Sequence, residues 1–171
     1  MAPGKQPQVN SEGAGCTGVR TGMARIRIDA EELVMALDDH DALVTWHLDR
    51  ESGELLRISE ALFGDEDQEL GMRIDAEPAR YLFIEALPSA FGYRLMSEFT
   101  GTVEDSTARA ALERALNGRR PFRAFKDTLF EFPPVRDDWF RFHHERMLEE
   151  ARLLLEAEGV DFEWTGGARP A

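Results

Sequence analysis

The sequence predicts an α+β domain in which a small, mainly antiparallel sheet packs against several C-terminal helices. Apolar and polar side chains alternate over residues 42–49 and again over 54–59, the period of paired strands, with a glycine-containing turn between them. From Pro88 to Glu158 the apolar residues instead recur every three or four positions, interrupted by Gly118 and by Pro133-Pro134, as in a run of short helices. The chain has 171 residues, 43% apolar and 31% charged, which suits one soluble domain of ordinary size.

Residues 1–22 are rich in Gly, Pro, Ser, Thr and Gln and have too little apolar surface to offset the entropy of ordering. They are expected to form a disordered leader before a single domain at 23–165, with a flexible tail at 166–171. Asp29 is placed to cap a helix through Leu37, with Glu31 and Glu32 in its first turn, and the run Asp38, Asp39, His40, Asp41 ends it. Alternation over 42–49 sets Val44, Trp46 and Leu48 on one face of a strand and Leu43, Thr45 and His47 on the other. Gly53 supplies the positive φ that the hairpin to 54–59 requires.

The acidic run 65–69 reads as a polar loop, and 80–86, apolar on both sides, as a third and central strand. Pro88 and Ser89 open a helix toward Phe99, Ser106 or Thr107 another to Leu116, and Pro121 a third to Phe130. Pro133-Pro134 then breaks the chain, Asp137-Asp138 cap a long helix to Glu158, Gly159 ends it, and 160–164 form a last strand. The expected order is one helix, three strands, four helices and one strand. The sheet is expected to draw on the segments around Leu43, Leu56, Leu82 and Phe162, with no internal repeat.

Several chemistries lack a signature. The single cysteine, Cys16, permits no internal disulfide and no multi-cysteine zinc site, which points to a reducing, cytoplasmic setting. No run approaches the roughly 18 to 20 apolar residues of a membrane helix. Phosphate-binding glycine loops and nucleophile elbows are absent. The net charge of -13 repels nucleic acid, so neither nucleic acid nor membrane is an expected partner, and no cofactor or metal is implied.

The distinctive segment is 118–142. On the helix from Pro121, Phe122, Phe125 and Leu129 share one side and are read as core, turned inward. Arg119, Arg120, Arg123 and Lys126 form a cationic cluster at the start of the same helix, which has two readings. They are suited to hold a phosphate or an acidic peptide, aided by the helix dipole. Alternatively they pair with Glu113, Asp127, Asp137 or Asp138 and hold the helices in register. Of His143 and His144, at least one borders the apolar stripe of the long helix in a structural role, and no HxxxH spacing supports a metal. His40 and His47 would need the fold to bring them together with Asp38, Asp39 or Asp41 to act as a base or metal pair.

The order Ala115-Leu116-Asn117-Gly118-Arg119, then residues 121–129, then Trp139-Phe140-Arg141-Phe142 resembles an uncharacterised bacterial protein family. Its hallmark is A-L-x-G-[RK]-x-x-F-R-x-F-K-D-x-L followed by W-[FY]-x-F. The likeness extends upstream through the hairpin at 43–58 and the helix at 93–99, and downstream to 160–162, covering about 26–164. Pro121 and the run Leu153-Leu154-Leu155 depart from the pattern. The resemblance implies relatives and no activity, and it assigns no catalytic or binding residue.

With no convergent acid, base and nucleophile, the sequence reads as a noncatalytic cytoplasmic protein-interaction or regulatory domain with a protein partner. A small-molecule or phosphate-binding module or enzyme using Arg119, Arg120, Arg123 and Lys126 is the first alternative. An acidic mimic of nucleic acid that occupies a basic protein is the second.

Overall fold

The computed structural model describes residues 25–59 and 64–166; the expected leader and most of the expected tail lie outside them. In chain order the elements are β1 (Ile26–Asp29), α1 (Ala30–Asp38), β2 (Val44–Asp49), β3 (Leu55–Ser59), α2 (Asp65–Ala76) and β4 (Tyr81–Ile84). They continue with α3 (Ser89–Thr102), α4 (Ser106–Leu116), α5 (Pro121–Leu129), α6 (Pro133–Ala157) and β5 (Phe162–Thr165). The class is α+β, as the sequence predicts, with four of the helices in the C-terminal half.

Local signals account for most elements. The Asp29 carboxylate accepts from the Glu31 and Glu32 amides at the start of α1, and Asp105 does the same for α4 through Thr107 and Ala108. Asp49 accepts from Glu51 and Ser52 inside the β2–β3 turn. Gly53 closes that turn with φ 80°, and a Cβ there would stand 2.2 Å from the Arg27 carbonyl oxygen, so the turn tip rests directly on the β1 backbone.

Pairing departs from expectation in two ways. The antiparallel sheet has the order β3-β2-β4, so β2 is central and the third strand is an edge, with Phe83 on its exposed face. The last strand does not join that sheet: β5 pairs in parallel with β1, Ile26 opposite Phe162 and Ile28 opposite Trp164. The segment before Asp29, not assigned from sequence, is β1.

Two helix starts are also corrected. The acidic run expected as a loop is the first turn of α2, where Asp65, Glu66 and Asp67 oppose the positive end of the helix dipole. Pro133 and Pro134 do not break the chain. They occupy the first positions of α6, where the missing N–H would have no partner anyway, so Asp137 and Asp138 lie within the helix and do not cap it.

A single apolar core joins both sheets to the helices: Ile28, Leu33, Leu48, Leu95, Leu112, Phe125 and Leu155 are all fully buried within it. The Trp139 indole lies edge-on to Phe125 at 4.9 Å and to Phe99 at 5.3 Å, locking α5 and α3 against α6.

Candidate functional site

The link from α4 to α5 presents the cationic cluster. Asn117 ends α4 with its amide donating to the Glu113 carbonyl, and Gly118 follows. Arg120 then takes a left-handed conformation, φ 55°, as the residue preceding α5, and among the described residues it is the only non-glycine with positive φ. That conformation costs an L-residue about 1–2 kcal/mol, and Pro121 follows at once as the first residue of the helix.

The four cations do not behave alike. Arg119 and Arg120 are exposed and, among the described residues, have no carboxylate within ion-pair distance; the same holds for Lys126. Arg123 is paired with Asp127, 3.5 Å away, one turn on along the exposed face of α5. Of the other anticipated partners, Asp137 is engaged by Arg136 and Asp138 by Arg141, and Glu113 forms no ion pair among the described residues. The interhelical pairing scheme is therefore absent among the described residues.

Phe125 is fully buried, whereas Phe122 is 40% exposed, so the inward reading holds for one and fails for the other. The Phe122 ring lies over Gly92 of α3, where a Cβ would stand 3.2 Å from its edge. Bulk on α3 at that point would displace the ring, and a glycine in mid-helix permits the approach.

Two concavities flank α5, and Lys126 lines both. One is an apolar groove of about 170 Å³ between α5 and the start of α6, formed by Leu129, Phe130, Trp139 and Phe140 with Lys126 and Arg136 at its rim. Phe130 is 68% and Phe140 60% exposed, and the Arg136 guanidinium lies 5.8 Å from the Phe130 ring centre. The other is a cleft of mixed lining, about 270 Å³, where Phe122, Lys126 and His143 meet Asp38, His40 and the start of α3. A larger, open concavity beside α4 and α6 carries Glu104, Asp105, Asp138 and Glu145 but only Arg141 in return. Two of those acids already cap α4 or pair within α6.

The histidines separate. His143 borders the cleft with its ring 5.2 Å from Trp139, and burial pushes its pKa down against a smaller opposing pull from Asp38. His144 lies 3.3 Å from Glu31. His40 spans two backbone carbonyls, Asp38 O at the end of α1 at 2.9 Å and Leu87 O at 3.0 Å, whereas His47 packs on Phe83 with its Nδ1 buried and unpartnered. No described group of three or more His, Cys, Asp or Glu side chains is placed to hold a metal ion. Phe130 and Arg136 were not singled out by sequence, and Phe140 only as part of the family-like motif. The available signal was their phase, off the stripe formed by Phe125, Leu129 and Trp139.

An α+β domain with a cationic helix start between two concavities is thus the class of protein that the fold and surface define. The family model of the uncharacterised protein family UPF0158 matches residues 23–165, and the chain belongs to that family. It is 39% identical over 138 residues to the UPF0158 protein PA5073 of Pseudomonas aeruginosa, an alignment spanning 81% of this chain and 87% of the relative. No solved structure matches the chain. No described helix is long and apolar enough to cross a membrane.

Proposed function

We propose that this protein is a noncatalytic interaction domain whose α5–α6 face captures an acidic segment of a partner protein bearing an apolar anchor. The observation that carries the reading is the juxtaposition of Phe130 and Phe140, both largely exposed around an apolar groove, with Lys126 and Arg136 on its rim. Exposed aromatics of this size around a concavity are the usual anchors of protein interfaces. Arg119, Arg120 and Arg123 extend the cationic surface along the start of α5 and would engage the acidic flanks of such a segment. On a chain of net charge -13 this patch favours an acidic protein segment over a basic one. A cytoplasmic setting belongs to the same proposal, supported by the lone Cys16, as does a single domain at 23–165.

Selection of a random peptide library on the full chain tests it. Enriched peptides should share acidic residues around an aromatic or aliphatic anchor and lose about 2 kcal/mol, roughly 30-fold, on Phe140→Ser. Because Phe140 is exposed, the substituted protein should keep its fold and melting temperature. Selection of neutral or basic peptides, or binding indifferent to both Phe130→Ser and Phe140→Ser, would overturn the reading.

A further inference from the structure

The cleft beside α5 at Phe122 differs from the aromatic groove in its size and in its imidazole-bearing wall, although Lys126 lines both. Its volume of about 270 Å³ falls just below the roughly 300–1,000 Å³ of pockets for drug-sized molecules, so its occupant is small. One wall is apolar: Phe91 and Met147 are buried beneath it, and Phe122 leans over it from α5. Apart from its two imidazoles, the charged groups at the cleft are one cation, Lys126, and one carboxylate, Asp38. His40 has both ring nitrogens within hydrogen-bond distance of backbone carbonyls and so serves as part of the frame. His143 is different: among the described residues its ring nitrogens have no hydrogen-bond partner, and they are not among the nitrogens shut off from solvent. An accessible imidazole without a protein partner can offer a donor or an acceptor to a ligand at the cleft wall.

We infer that this cleft is a binding site for a small organic monoanion, a carboxylate with a short or flat apolar body. The carboxylate would meet the Lys126 ammonium and an N–H of His143, and the body would lie against Phe122, Phe91 and Met147. Burial favours the neutral imidazole at His143, which still donates one hydrogen bond from an N–H. No side chain caps α3, so its first-turn amides near Ser89 add donors on the same side. A dianionic phosphate is the poorer fit, because one lysine opposed by Asp38 does not neutralise it and no arginine offers a bidentate contact.

The site shares Lys126 with the peptide-binding face, and Phe140→Ser separates the two. Benzoate, benzyl alcohol and inorganic phosphate are titrated into the ¹⁵N-labelled full chain, following the amides of Gly92, Phe122, Lys126 and His143 by NMR. Benzoate should produce saturable shifts at these positions with a Kd at or below about 1 mM. Lys126→Gln should weaken it about tenfold, the loss of one charge-assisted contact, whereas Phe140→Ser should leave it unchanged. The His143 side-chain resonance should titrate at higher pH with benzoate bound, a response that a structural role would not produce. Absence of shifts at the cleft, equal binding of benzyl alcohol, tighter binding of phosphate, or indifference to Lys126→Gln would each overturn the inference.

Discussion

Asp49 shows how one side chain organises the antiparallel sheet. It is 3% exposed, yet its carboxylate accepts three contacts from the Arg80 guanidinium, the shortest 2.7 Å, besides the two turn amides. The Arg80 hydrogen bonds are the main reason that its pKa falls from 3.8 to about 2, with the turn amides adding to them against the cost of burial. In the unfolded chain the carboxyl takes up a proton first. The pairing therefore contributes its full stability above pH 3.8 and loses it progressively as pH falls to about 2. Asp49→Asn should cost about 3 kcal/mol at neutral pH, since Arg80 loses its main partner at the base of the hairpin. In urea unfolding, the gap between the original protein and the variant should narrow through that acid window; a gap constant with pH would refute the assignment. Arg120 is a second residue of this kind, held at positive φ at the start of the cationic surface, and strain of this sort clusters at binding sites.

At the scale of elements, the parallel pair of β1 and β5 fastens the two ends of the described fold. Ile28 of β1 is fully buried, and the Phe162 and Trp164 rings of β5 pack edge to face at 4.6 Å. Ion pairs from Arg25 to Asp161 and from Arg27 to Glu163 flank the ladder, but both are exposed and add little. Truncation after Val160 should therefore cost about 3 kcal/mol or more, the burial of one or two large apolar side chains together with the ladder. Denaturant unfolding of the truncated chain measures it, and a midpoint unchanged from the full chain would show that β5 is dispensable. The tip of the β2–β3 turn, seated on β1 at Gly53, extends that dependence to the antiparallel sheet.

Across the whole molecule, charge is distributed unevenly: a net -13 coexists with Arg119, Arg120, Arg123 and Lys126 gathered at one helix start. An approaching acidic segment meets repulsion over most of the surface and attraction at α5, which orients the encounter before contact. For an acidic peptide selected on this face, raising salt from low to physiological levels should slow association severalfold while dissociation from the aromatic groove changes little. Stopped-flow anisotropy separates the two rates. An equal salt effect on dissociation would mean that ion pairs, and not Phe130 and Phe140, hold the complex.

The elements legible from sequence were those whose signals lie within a few residues. The alternation around Trp46, the carboxylate cap at Asp29, and the prolines and glycines bounding α3, α4 and α5 place those elements because backbone geometry and capping are local. The cationic cluster was visible for the same reason. Partners distant along the chain were not: β1 is four residues long and becomes a strand by pairing with β5, 136 positions away, and β4 is an edge because it pairs with β2 alone while β3 takes the other side of β2. The prolines of α6 were ambiguous as well, since the same pair can end one segment or begin the next. Helical periodicity grouped Phe122 with Phe125, but only the approach of α3 at Gly92 leaves one ring at a cleft while Trp139 encloses the other. Local propensity is set by neighbours in sequence, whereas burial is set by whatever the folded chain packs against each face, and the candidate sites of this protein lie where that packing stops.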